Sequence, residues 1–170
     1  MSSINYYTNF LNLNLIETIE DHAKKNIMSA KWQTSLFWAP NIKHRSALVA
    51  VLPLSGHKKI CEQLRPYYSK LIPKTKKLYM EVNYYIWPPL SYIPFHNDGN
   101  KEIASTVYLN REWQIDNGGL FLYKQDDKFY AIPPTFNSCV INNNAVQHST
   151  TLTTTDAPNR TTLQIFFYEK

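Results

Sequence analysis

The chain has 170 residues, of which 44% are hydrophobic and 18% are charged. This length fits one domain over residues 1–170 with a sizeable core, and the composition excludes a disordered or fibrous protein. Eighteen Lys and Arg against 13 Asp and Glu give a formal charge of +5. The lysines are scattered and form no stripe that could follow a phosphate backbone, which argues against a nucleic-acid partner.

The location of the protein is predicted from its cysteines and its apolar runs. Two cysteines are too few for a disulfide framework. No apolar run approaches the length of a membrane span, and no basic segment precedes an apolar run at the N-terminus. We therefore expect no signal peptide and no membrane contact, and a cytoplasmic location.

Two helices are predicted in the first part of the chain. An apolar stripe at helical spacing indicates the first one, through Leu11, Leu13, Leu15, Ile16, Ile19 and Ala23. The second is expected to begin at Ser55 as the N-cap, to kink or restart at Pro66, and to end at Pro73.

Short strands dominate the remainder of the chain. Two are predicted ahead of the second helix, over 32–38 and 47–52, the latter apolar throughout and therefore buried on both faces. Eight more follow, separated by Pro, Gly, Asn and Asp turns, over 78–87, 92–98, 103–110, 119–123, 128–132, 137–141, 146–150 and 161–168. The order indicates an α+β, mainly β fold, with a sandwich or barrel and the helices behind one sheet.

Two histidines and one carboxylate form a candidate metal site. His96 and Asp98 are two residues apart, so on an extended strand their side chains share one face. His148 lies fifty residues after Asp98, in a second predicted strand. Two imidazoles and one carboxylate are the facial triad that holds iron(II) with open positions. The alternative is that His148 is a strand histidine whose nitrogens bond to the backbone.

Arg160 is a candidate anion-binding residue. It follows a turn over 156–159, so we predict a hairpin that sets its strand beside that of His148. Alternation puts Arg160, Thr162, Gln164 and Phe166 on one face, and the more apolar Thr161, Leu163, Ile165 and Phe167 on the core face. An inward arginine requires an acidic partner, which a dicarboxylate cosubstrate supplies. If the register is reversed, Arg160 is a solvated edge charge instead.

The ordered series of motifs resembles a known family. It comprises His96-x-Asp98, Tyr108-Leu109-Asn110 with Trp113, Gly118-Gly119, Pro133-Pro134, His148, Arg160 and Phe166-Phe167-Tyr168. Over about half the chain, 84–168, this series resembles the 2-oxoglutarate and iron(II)-dependent dioxygenases of the prolyl-hydroxylase branch. The resemblance implies a double-stranded β-helix, or jelly-roll barrel, in residues 77–170. Residues 1–76 would then be its supporting helices and strands.

The resemblance also implies the site residues and the ligands. Iron(II) would be held by His96, Asp98 and His148, and 2-oxoglutarate by Arg160 with help from Tyr108. A tyrosine upstream of His96 would line the same pocket, either Tyr85 or Tyr92, and Thr162 shares the face of Arg160. O2 would be the second cosubstrate, with ascorbate as an optional reductant.

The expected reaction is hydroxylation of a C–H bond, with succinate and CO2 as coproducts. The resemblance favours a prolyl residue in a protein or peptide as the substrate. A free amino acid or another small molecule is the nearest alternative. A non-enzymatic jelly-roll binding module is the other class, and it would be expected to lack a metal ligand or the arginine.

Overall fold

The computed structural model describes residues 4–33, 49–143 and 146–170. Its helices and strands, in chain order, are β1 (Ile4–Tyr7), α1 (Leu13–Asn26), β2 (Lys31–Gln33), β3 (Val49–Pro53), α2 (Lys58–Leu71), β4 (Tyr79–Trp87), β5 (Ile93–His96), β6 (Ile103–Tyr108), β7 (Phe121–Gln125), β8 (Lys128–Ile132), β9 (Cys139–Asn142), β10 (His148–Thr150) and β11 (Arg160–Tyr168). Short 3₁₀ helices follow α1, α2 and β6. Neither α1 nor α2, the α-helices of the described residues, is long and apolar enough to cross a membrane.

The strands of the described residues form two antiparallel sheets. The larger has seven strands in the order β1-β9-β6-β11-β4-β3-β2, and the smaller has four in the order β5-β10-β7-β8. The predicted mainly β architecture with two helices is therefore confirmed at this level. The strands predicted after residue 77 are all present, with bounds that differ by at most two residues. Residues 34–38 and 47–48 of two earlier predicted strands lie outside the described residues.

The first helix buries four of the six residues of the predicted stripe. Asn12 caps it, because its side-chain oxygen accepts a hydrogen bond from the Asn14 amide at 2.8 Å. The side chains that α1 buries are Leu15, Ile16, Ile19 and Ala23, whereas Leu13 is exposed. These residues join one core cluster with strand residues of the larger sheet and with Ile60, Leu64 and Tyr68 of the second helix.

The second helix begins two residues later than predicted. Its N-cap is His57, whose Nδ1 accepts from the Ile60 amide at 3.3 Å. Ser55 was the wrong residue because its hydroxyl oxygen accepts instead from the Val82 amide of β4, at 2.9 Å. The helix does not restart at Pro66, which lies inside it, and Pro73 opens the 3₁₀ helix that follows.

Alternation along β11 separates two environments. Leu163, Ile165 and Phe167 are fully buried in the core cluster that includes both helices. The opposite face, beginning with Arg160 and Thr162, points to the space between the two sheets. The predicted division of this strand into a core face and an interior face is confirmed.

The predicted hairpin between the strands of His148 and Arg160 is wrong. His148 lies on β10 in the smaller sheet, whereas β11 lies between β4 and β6 in the larger sheet. The chain between them crosses from one sheet to the other. Within that sheet, β11 pairs with β4 along all nine of its residues and with β6 along six of them.

Candidate metal centre

Two histidines meet across neighbouring strands of the smaller sheet. His96 ends β5, His148 begins β10, and the two residues are direct partners in the antiparallel pairing. The prediction that Asp98 lies on the strand of His96 is wrong, because β5 ends at His96 and Asp98 lies in the turn that follows. Even so, the ligand atoms of the three residues all lie within 4.8 Å of one another.

Both imidazoles are oriented by backbone carbonyls. Nδ1 of His96 lies 2.8 Å from the Pro94 oxygen, and Nδ1 of His148 lies 2.8 Å from the Val146 oxygen. Each Nδ1–H therefore donates to a carbonyl, and each Nε2 keeps its lone pair. The Nε2 atoms face the Asp98 carboxylate, at 3.9 Å from His96 to Oδ1 and 3.7 Å from His148 to Oδ2.

The electrostatics of the triad fit a divalent cation. Burial, and then the neighbouring His148, lower the pKa of His96, which favours the neutral imidazole that binds metal. The buried Oδ2 of Asp98 has no hydrogen-bond partner. A desolvated carboxylate oxygen beside two free imidazole lone pairs is a donor set that a cation satisfies. Two nitrogens and one carboxylate match iron(II) in particular.

Arg160 is a buried cation at the other end of the same interior. The side chain is 2% exposed, and its NH1 donates to the Gly119 carbonyl at 3.2 Å. Its guanidinium lies 5.3 Å from the centre of the Trp87 ring, while its Nε has no hydrogen-bond partner. Burial lowers the pKa of Arg160 to about 10, so it remains charged at neutral pH. Such a group fits the carboxylate of a ligand.

One cavity joins the metal triad to Arg160. Both sheets contribute to its lining, which comprises Tyr85, Ile93, His96, Asp98, Thr106, Tyr108, Phe121, His148, Thr150, Arg160, Gln164 and Phe166. Of the two tyrosines left open by the sequence, Tyr85 lines this cavity, whereas Tyr92 lines a separate outer groove. Thr162 is not in the lining, and its hydroxyl oxygen accepts from the Trp87 indole N–H at 3.3 Å.

The structure adds residues that the sequence did not single out for this site. Trp87 contacts both Arg160 and Thr162, and Phe121 stacks on His148 with ring centres 4.9 Å apart. Gly119 has a φ of +69°, and a Cβ there would lie 3.2 Å from Cδ of Arg160. The Gly118-Gly119 motif was the available signal, because glycine lets the backbone approach a neighbouring side chain closely.

Sequence comparison identifies the family. The family model of the 2OG-Fe(II) oxygenase superfamily matches residues 80–168, which are 89 of the 170 residues. No curated protein matches the chain in sequence.

Solved structures of three enzymes share the fold at low sequence identity. The chain is similar to a prolyl-4-hydroxylase from Pseudomonas putida, with a TM-score of 0.74 and 14% identity, covering 99% of this chain and 93% of that chain. It is also similar to a prolyl hydroxylase from Trichoplax adhaerens in complex with a hypoxia inducible factor peptide fragment. The TM-score is 0.73 and the identity 15%, and the match covers 98% of this chain and 84% of that chain. A third similar structure is that of SnoN, a non-heme alpha ketoglutarate dependent epimerase from nogalamycin biosynthesis. The TM-score is 0.70 and the identity 8%, and the match covers 98% of this chain and 78% of that chain.

These likenesses extend over nearly the whole chain, and the family match covers the segment that carries the triad and Arg160. The chain therefore belongs to the 2OG-Fe(II) oxygenase superfamily, whose cofactors are Fe(2+), 2-oxoglutarate and O2.

Proposed function

We propose that this protein is an Fe(II) and 2-oxoglutarate-dependent dioxygenase that hydroxylates a C–H bond. The observation that carries the proposal is the single cavity lined by both a metal-binding triad and a buried arginine. One end of this cavity complements a cation and the other end complements an anion. A metal ion and a dicarboxylate together satisfy both ends.

His96, Asp98 and His148 would hold the iron, and Arg160 would hold the far carboxylate of 2-oxoglutarate. When bound, the iron supplies the oxygen chemistry by which 2-oxoglutarate, O2 and a substrate C–H bond become succinate, CO2 and an alcohol. The two backbone carbonyls keep both imidazoles in the neutral tautomer that binds metal. No side-chain base is required for this reaction.

Tyr108, Tyr85 and Thr162 would support the cosubstrate. Tyr108 is 1% exposed and lines the same cavity as Arg160. Tyr85 lines the same cavity as Arg160 and Asp98. The role that we propose for Thr162 is indirect, because its hydroxyl holds the Trp87 indole beside Arg160. Ascorbate remains an optional reductant in this proposal.

The proposed architecture around this site is the double-stranded β-helix. In it, the two sheets form the two halves of one barrel, and α1 and α2 back the larger sheet. The catalytic core would then be 77–170, with 1–76 as supporting elements of one domain. The strands of the earlier part support its inclusion, since β1, β2 and β3 all belong to the larger sheet.

A prolyl residue in a protein or peptide is the substrate class that we propose first. Its support is the likeness to two prolyl hydroxylases, one of them in complex with a peptide. A free amino acid or other small molecule is the second candidate. A cavity of about 420 Å³ adjoins Asp98 and is lined by the charged Glu81 and Lys101, which suits a small polar molecule. A binding module without activity is disfavoured because all three ligands and the arginine are present.

The experiment is a turnover assay with product identification. The protein is incubated with Fe(II), 2-oxoglutarate and air, and succinate is measured with and without prolyl peptides and free amino acids. Mass spectrometry then scores the gain of one oxygen atom. We expect succinate from the wild-type protein and an oxygenated product from one substrate class. No succinate under any condition would overturn the enzymatic proposal in favour of the binding module.

A further inference from the structure

Asp98 is oriented differently from the two histidines of the triad. Each imidazole has a carbonyl partner on its Nδ1, whereas the buried Oδ2 of Asp98 has no hydrogen-bond partner. The direction of this carboxylate therefore depends on the turn that carries it. That turn is closed by the Lys101 amide, which donates to the Asp98 carbonyl oxygen at 3.2 Å.

The side chain of Lys101 fastens this turn to the larger sheet. Its Nζ donates to Oε2 of Glu81 on β4, at 3.0 Å. The same ammonium lies 3.5 Å from the ring centre of Tyr168 and 5.5 Å from that of Phe166, both on β11. The Lys101 side chain is only 22% exposed, so the charge is less screened than at an open surface.

Two hydrogen bonds besides that from Lys101 hold the Glu81 side chain in place. Its Oε1 accepts from the side-chain Nδ2 of Asn83 at 2.9 Å, and its Oε2 accepts from the Tyr168 hydroxyl at 3.1 Å. Burial alone would raise the pKa of Glu81, but the donors Lys101, Asn83 and Tyr168 outweigh it and lower that pKa. Glu81 is therefore a fixed carboxylate at neutral pH.

We propose that Glu81 and Lys101 are positioning residues that hold the Asp98 carboxylate toward the two histidines. The chain of contacts runs from Glu81 through the Lys101 side chain and backbone to the carbonyl of Asp98. The inference rests on the proposed metal centre and adds residues that lie outside it. It predicts that metal affinity depends on an ion pair that touches no ligand atom.

A neighbouring ion pair offers a matched control. Lys74 and Glu102 form a pair with an Nζ–Oε2 distance of 2.8 Å, and Glu102 directly follows Lys101 in sequence. The side chains of this control pair are more exposed, at 52% and 33%, and the pair links the segment to the 3₁₀ helix after α2. Loss of either pair removes an ion pair, but only Lys101 belongs to the turn that carries Asp98.

The test measures Mn(II) affinity and the unfolding temperature of the metal-free protein. We expect Lys101→Met and Glu81→Gln each to weaken Mn(II) binding about 10-fold, the lower end of the effect of losing an outer-shell partner. Lys101→Arg keeps the charge and should restore most of the affinity. Lys74→Met should change it less than about 2-fold, as for an exposed ion pair.

The outcomes separate this inference from the proposed function. Wild-type protein that binds no Mn(II) would contradict the metal centre and therefore both proposals. Wild-type binding with the same affinity in Lys101→Met, Glu81→Gln and Lys74→Met would overturn the positioning role alone. Unchanged metal affinity with a raised KM for the substrate would also overturn it, and would make the pair a substrate contact. If Lys101→Met does not fold, the Mn(II) affinity of Glu81→Gln tests the positioning role by itself.

Discussion

The two ends of the interior cavity differ in how much of their polar chemistry the protein satisfies by itself. At the metal end, the smaller sheet supplies two imidazoles that its own backbone carbonyls already orient. At the arginine end, the larger sheet supplies a buried cation with one hydrogen bond from NH1 and an Nε that has no partner. The metal end therefore offers preorganised ligands to a cation, and the arginine end offers a charged donor to an anion. Mutations at each end should separate these two roles.

The largest effect is expected at the metal end. Asp98→Ala removes the one anionic ligand and leaves two neutral imidazoles, so succinate formation should fall to background and Mn(II) binding should be lost. The fold should persist because the carboxylate packs in no core cluster. Asp127→Ala, at a carboxylate that is 95% exposed, is the control. Normal turnover by Asp98→Ala would show that the triad is misassigned.

The arginine end should affect the cosubstrate and spare the metal. Arg160→Met removes a charge-assisted contact of roughly 2–3 kcal/mol, so the dissociation constant of 2-oxoglutarate should rise roughly 30- to 150-fold. The Mn(II) affinity of the protein without 2-oxoglutarate should stay near that of the wild type. Arg111→Met is the control, at an exposed arginine that pairs with Glu20. An unchanged 2-oxoglutarate affinity would place the anchor on another residue.

A smaller effect is expected where the backbone approaches the arginine. Gly119→Ala adds a Cβ at 3.2 Å from Arg160 Cδ and at a φ of +69°, so it should both strain the turn and displace the guanidinium. We expect a loss of stability of about 1 kcal/mol and weaker 2-oxoglutarate binding. Gly56→Ala meets no atom within 4 Å and serves as the control in calorimetry and thermal unfolding. Equal behaviour of the two variants would contradict the steric argument.

The smallest effect concerns the ring beside the arginine. Trp87→Phe removes the indole N–H bond to Thr162 and weakens the cation–π contact without abolishing it, at a cost of about 0.5–1 kcal/mol. The 2-oxoglutarate affinity should fall about 3-fold, as that energy implies. Trp32→Phe, at a ring that is 61% exposed, should leave the affinity unchanged. A loss of metal affinity in Trp87→Phe would show that the two ends are not separable in this way.

Local sequence patterns predicted which residues face this site better than they predicted how the strands around it are connected. Alternation along β11 placed Arg160 on the interior face correctly, because that rule depends only on the extended backbone and on which face is apolar. The hairpin from His148 to Arg160 failed because sequence proximity says nothing about which sheet a strand joins. The two residues reached one cavity through the packing of two sheets, not through strand pairing.

Other differences arise from contacts between distant segments. Asp98 was placed on the strand of His96, but β5 ends earlier and the carboxylate approaches from a turn. The bond from the Val82 amide to Ser55, which left the N-cap to His57, joins residues 27 positions apart. The pairing of β1 with β9 and the contacts of Glu81 with Lys101 are likewise non-local, so no short pattern signals them.

On this proposal, metal and 2-oxoglutarate occupy one site with two ends. Calorimetry should compare 2-oxoglutarate binding to the metal-free and Mn(II)-loaded protein, and Mn(II) binding with and without 2-oxoglutarate. For one shared site, each ligand should raise the affinity of the other, and by the same factor. We expect that reciprocal increase in the wild type, with 2-oxoglutarate binding weakened in Arg160→Met. Binding of 2-oxoglutarate that is equally tight without metal and without Arg160 would contradict it.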